Sequence, residues 1–177
     1  NILKTGIHEA VLRIKDFPVQ FDDSLYLSFL VKEKVKVLAI NEAAPDRYLQ
    51  ALFGGIQYFQ FDNQEVARTQ YQGFKDYDLI LLNSVRSLSS GLIDELYKFI
   101  ETGGKVTLLP GKDADIASYN ALLSRSGSRT LQSWVAQEKK VSTLNTRDFV
   151  FSDVFSATES NLHLPTTKGA YNFGQTA

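Results

Sequence analysis

Few side chains in this sequence can make or break covalent bonds. It has two histidines, His8 and His163, and no cysteine. The missing cysteine removes disulfides, thiolate nucleophiles and thiolate-ligated metals together. Serine is the remaining nucleophile, and Ser87, Ser89 and Ser90 cluster after an apolar run. A serine hydroxyl without a neighbouring base is inert, and neither histidine lies in that stretch. No G-x-S-x-G elbow occurs, and the turn Leu109-Pro110-Gly111-Lys112 holds neither Ser nor Cys. Serine ahead of a helical stripe reads better as an N-cap that satisfies orphan backbone N–H groups. The sequence therefore predicts no hydrolase or glutaminase.

Ligand chemistry fares similarly. Neither G-x-x-x-x-G-K-[ST] nor G-x-G-x-x-G is present. Gly103-Gly104-Lys105 follows a helical pattern and precedes a strand, which is the order of a helix C-cap and not of a phosphate loop. Asn41-Glu42-Ala43-Ala44, after the first core strand, carries an anion that would repel phosphate. Asp113 and Asp115, with Glu42, supply hard oxygens of the kind Mg²⁺ accepts. Acids at a helix start are better explained by the macrodipole they stabilise. No metal or cofactor is expected.

The elements that position these residues alternate regularly. Val35 to Ile40, Ile56 to Phe61, Tyr77 to Leu82 and Lys105 to Leu109 read as strands. Between and after them, Tyr48 to Phe53, Leu92 to Ile100 and Ile116 to Leu123 recur at helical spacing, the first helix opening at Pro45. Asp62 to Gly73 is polar, with a weak helical pattern from Glu65 to Tyr71. Gly54-Gly55, Gly103-Gly104 and Gly127 stop the helices. Such alternation means βαβ units and a parallel sheet, and a flavodoxin-like strand order 2-1-3-4-5 is expected. Residues 7–33 read as two antiparallel strands broken at Pro18 and Asp22-Asp23. Leu131 to Ala136 and Lys140 to Leu144 read as short strands, Phe149 to Phe155 has no assignment, and the last fifteen residues are expected to be extended or loose.

Composition sets the outer limits. The 177 residues, 44% hydrophobic and 12% aromatic, describe a globular domain with a substantial core. A net charge of −1 leaves no electrostatic footprint for nucleic acid or an anionic membrane surface. No apolar run reaches the roughly 20 residues of a membrane span. An Asn at the first position, with no Met anywhere, is expected of a piece of a longer protein.

One resemblance adds to this. The segments Val37-Leu38-Ala39-Ile40-Asn41-Glu42, Tyr48-Leu49-x-x-Leu52-Phe53 and Tyr77 to Asn83 carry its first part. Ser89-Ser90-Gly91-Leu92, Gly103-Gly104-Lys105, Leu109-Pro110-Gly111 and Ser118-Tyr119-Asn120-x-Leu122-Leu123 complete it. Together they resemble the soluble region of membrane-anchored aerotolerance-regulator (Bat-type) proteins, over about residues 5–165. Asp22-Asp23-Ser24-Leu25-Tyr26-x-Ser28-Phe29 is similar to the last strands of the module preceding that region's core. The resemblance implies a class I glutamine-amidotransferase-like three-layer domain without the catalytic Cys and His. It also implies a place on the periplasmic face of the inner membrane, reached only through segments outside this sequence.

These readings divide the chain into 1–33, the end of a β-sandwich-like module, 34–165, the α/β domain, and 166–177, a loose tail. They predict a non-catalytic interaction or scaffold domain with protein partners in the cell envelope, linked to aerotolerance or stress. The other reading is a small-ligand-binding or enzyme domain that uses the crevice at the carboxyl edge of the sheet. Where the strand order reverses, that edge gathers Asn41, Glu42, Asn83, Arg86 and Lys112, a polar set that packing alone does not demand.

Overall fold

A computed structural model describes residues 4–14, 24–145, 148 and 164–174. The N-terminal strands β1 (Gly6–Arg13) and β2 (Ser24–Val31) form an antiparallel hairpin, with Gly6 opposite Val31 and Arg13 opposite Ser24. Register then sorts the side chains. His8, Ala10, Leu12, Leu25, Leu27, Phe29 and Val31 share one face, while Glu9, Arg13, Ser24 and Ser28 lie on the other among Ile7, Val11, Tyr26 and Leu30.

The core is a four-stranded parallel sheet. Its strands β3 (Val35–Asn41), β4 (Phe59–Glu65), β5 (Leu79–Asn83) and β6 (Lys105–Leu109) lie in the order β4-β3-β5-β6. The fold is therefore α/β with a parallel sheet, in a layout compatible with the flavodoxin-like order. Strand β3 reads as a continuous apolar run because it is covered on both faces, and Val37 to Ile40 are at most 2% exposed.

Helices α2 (Ser90–Glu101) and α3 (Ile116–Arg125) cover one face of the sheet. Leu92, Leu96, Phe99, Tyr119 and Leu122 pack there against Leu38, Ile40, Ile80 and Leu82. Helix α1 (Arg47–Gly54) covers the opposite face over β3 and β4, where Phe53 meets Phe59 and Phe61 at ring separations of 5.2 and 5.1 Å. That face is left open along β6, where Lys105, Thr107 and Leu109 are exposed. Layers number three over β3 and two over β4 and β6, β4 keeping the α1 layer and β6 the α2/α3 layer.

The junction between α2 and β6 is tight. Gly103, at φ +90°, takes a backbone conformation that favours glycine, and the Gly104 N–H donates to the Phe99 carbonyl at 2.9 Å. A Cβ at Gly104 would lie 2.4 Å from the Phe99 ring.

Several boundaries differ from the sequence expectation. Helix α1 begins after Asp46, whose Oδ1 accepts the N–H groups of Tyr48 and Leu49, so Pro45 lies outside it. Strand β4 starts and ends later than Ile56 to Phe61. Ile56 to Tyr58 close the turn after α1, and pairing along the full length of β3 draws polar Asp62 to Glu65 into the ladder. Two 3₁₀ turns, Val66–Arg68 and Tyr71–Asp76, follow in place of a helix.

Near the C-terminus, β7 (Leu131–Val135) pairs antiparallel with β10 (Ala170–Phe173), and β8 (Lys139–Lys140) with β9 (Thr166–Thr167). Where a loose tail is expected from 166, Tyr171 is buried against Trp134 and its hydroxyl donates to the Gly111 carbonyl at 2.7 Å. Phe149 to Phe155 lie outside the described residues.

Candidate functional site

The carboxyl edge of the sheet gathers the residues singled out from the sequence, and it ties most of them to one another. Adjacent strands place Asn83, Asn41 and Asn63 side by side, since Asn41 pairs in register with Asn83 and Ala39 with Asn63. The Asn83 Nδ2 donates to Asn41 Oδ1 at 2.9 Å, and Asn41 Nδ2 donates to Asn63 Oδ1 and the Gln64 carbonyl at 2.8 and 2.9 Å. Asn63 in turn donates to the Asp46 carbonyl at 2.8 Å. Asn41 is 3% exposed, so this amide ladder satisfies a buried polar side chain that would otherwise be costly. Packing therefore does require Asn41 and Asn83, contrary to the sequence expectation.

Glu42 bridges the two loops at the point where strand order reverses. Its Oε2 accepts the Arg86 backbone N–H at 2.7 Å, and the Arg86 carbonyl accepts the Asp115 N–H at 2.7 Å. Tyr119, wholly buried, donates its hydroxyl to the Val85 carbonyl at 2.6 Å. Burial, followed by the charges of Tyr171 and Glu42, pushes the Tyr119 phenol up to about 12. The loops after β3, β5 and β6 are thus held together, and the polar groups between them are spent on that bracing.

Only Arg86 and Lys112 of the predicted set present exposed side chains without a partner among the described residues. Asp115 N-caps α3 and approaches Ser87 Oγ at 3.4 Å, while Ser89 N-caps α2 by accepting the Leu92 N–H. Ser89 thus does the work of a helix end, while the Asp115 carboxylate stands at the start of α3 without a side-chain bond to the helix N–H groups. Among the described residues no group of three or more His, Asp or Glu side chains converges. Ser84, directly after β5, has φ 55° in the left-handed region and packs on Gly111, whose Cβ position lies 3.5 Å from Ser84 Cβ. The strain belongs to the turn that brings Ser84 N–H to the Leu109 carbonyl at 2.8 Å.

Sequence reading misses a second region. Strand β4 turns Gln60, Asp62 and Gln64 to the face on which its neighbour β3 shows Leu38 and Ile40. Beside Gln64, at the carboxyl end of β4, opens a cavity of about 560 Å³. The signal is present in the sequence, because polar residues alternate with Phe59 and Phe61 along a strand of a covered sheet.

No family model, curated protein or solved structure matches the chain. No helix among the described residues is long and apolar enough to cross a membrane.

Proposed function

We propose that the chain is a non-catalytic interaction or scaffold domain of a bacterial cell-envelope protein. In this reading its core is an amidotransferase-like domain without the catalytic pair, its parent is a membrane-anchored protein of the aerotolerance-regulator type, and it works on the periplasmic face of the inner membrane. The observation that carries the interaction role is the hairpin face formed by Ala10, Leu12, Leu25, Leu27, Phe29 and Val31, with the His8 ring stacked on Phe29. Leu25 is 55% and Leu27 47% exposed on it, an arrangement that asks for a covering layer. A two-stranded hairpin is marginal alone in water and gains stability when its apolar face meets another layer. The complementary surface is an apolar face of a β-module, packed about 10 Å away as in sheet-on-sheet contacts. The internally bonded carboxyl edge supports the non-catalytic half of the reading.

A photo-crosslinking residue at Leu27 of the membrane-anchored parent tests this. Adducts with a protein or with a neighbouring β-module at Leu27, and none at exposed Gln132, are expected. Adducts at Arg86 but not at Leu27 overturn the hairpin as the interaction surface.

A further inference from the structure

The crossover from β4 to β5 leaves part of the sheet unroofed. In a doubly wound fold a helix normally sits there, and here two 3₁₀ turns take its place. Leu38 of β3, 2% exposed, lies at the base, Gln64 of β4 stands beside it, and the turns bring Arg68, Gln70 and Gly73 around the opening. Tyr77 closes the far side. A volume of about 560 Å³ is within the range of small-ligand sites.

The bonding capacity of the walls defines what fits. Glu65 and Arg68 face each other with Oε2 and Nε 3.3 Å apart, so their charges compensate locally. Tyr77 donates its hydroxyl at 2.7 Å to Oδ2 of Asp62, which stands behind the wall, and this leaves the phenol oxygen as an acceptor towards the cavity. Burial first, then the Asp62 carboxylate, pushes the Tyr77 phenol up to about 12, so this group stays neutral. The amides of Gln64 and Gln70 have no hydrogen-bond partner among the described residues and each both donates and accepts. An anion would meet Glu65, and a cation would compete with Arg68. A hydroxyl donates and accepts at once, as do these amides, and the carbon faces of a sugar ring suit Pro45 and the Tyr77 ring.

We propose that the cavity beside β4 binds a neutral polyhydroxylated ligand, a mono- or disaccharide. The site is distinct from the hairpin surface and stands independently of the interaction role.

Amide chemical shifts of the isotopically labelled 177-residue chain, titrated with glucose, galactose, N-acetylglucosamine and maltose, read the binding directly. Shifts clustered at Gln64, Arg68, Gln70 and Gly73 with at least one sugar, and none there with inorganic phosphate or acetate, are expected. Gly73→Leu fills the cavity, since a Cβ at Gly73 meets no atom within 4 Å, and it should weaken binding roughly tenfold or more. Gln70→Ala, at an exposed position, should weaken it with the fold intact. No sugar-dependent shift at tens of millimolar overturns the proposal, as does phosphate binding at the same residues or sugar binding that both variants leave unchanged.

Discussion

The hairpin and the central strands share an apolar vocabulary and differ in what lies above them. Strand β2 reads Ser-Leu-Tyr-Leu-Ser-Phe-Leu-Val, and β5 reads Leu-Ile-Leu-Leu-Asn. Ile80 and Leu82 of β5 have no exposed surface, whereas Leu25, Leu27 and Leu30 of β2 are each about half exposed. The difference is the helix layer. Strand β5 lies under α2 and α3, while among the described residues β2 pairs only with β1. Apolar content provides the drive to bury, but burial needs a partner surface at about 10 Å, and only one of the two regions has it among the described residues.

Truncation on either side of that contrast should show the largest effect. Leu96→Ala removes a fully buried side chain from the α2 face and should cost about 2–5 kcal/mol in urea unfolding. Leu27→Ala should cost about 0.5 kcal/mol or less in the same measurement, as expected of an exposed position. A loss at Leu27 comparable to that at Leu96 would show the hairpin packed in solution, and the contrast would fail.

A smaller effect separates the braced carboxyl edge from its two free side chains. Asn41→Ala leaves the Asn83 donor and the Asn63 acceptor without their shared partner and should cost about 1–3 kcal/mol. Arg86→Ala retains the backbone N–H that Glu42 accepts, and its melting temperature should match the parent's. Equal melting temperatures for both variants would mean that the amide ladder is not holding the edge.

The smallest effect belongs to one hydroxyl. Tyr119→Phe removes the bond to the Val85 carbonyl and should cost roughly 1 kcal/mol at neutral pH. The parent phenol is raised to about 12 in the fold from 10.0, so its contribution is complete below pH 10 and lost as pH rises through about 12. Unfolding followed from pH 9 to 12 should therefore fall more steeply for the parent than for Tyr119→Phe. Parallel curves would place Tyr119 in contact with water.

Much of the core was legible because it rests on local periodicity. The run Val35 to Ile40 and the stripe from Leu92 to Ile100 are each burial patterns written within one element. The β4 boundary was not legible, because Asp62 to Glu65 have no strand character of their own and become a strand by pairing with β3. The Tyr171 anchor depends on a partner far away in sequence, so nothing near it announces its burial. The gathering at the carboxyl edge was readable from topology, whereas the mutual bonding of Asn41, Asn83 and Glu42 depends on register between strands. The cavity beside β4 follows from a helix that the crossover omits, and a weak helical pattern from Glu65 to Tyr71 concealed that omission.

Gly104 has a consequence for how this chain avoids errors of assembly. Among the described residues strand β6 is a sheet edge with one open face, the kind of strand most able to slide along its neighbour. A slip of one residue would carry Lys105 and Thr107 towards α2 and turn Val106 and Leu108 outward. The Phe99 ring fills the space where any other residue would place a Cβ, and the Phe99 carbonyl holds the Gly104 N–H. Only a residue without a side chain fits at that point, so the end of α2 acts as an index mark from which the reading frame of β6 is counted.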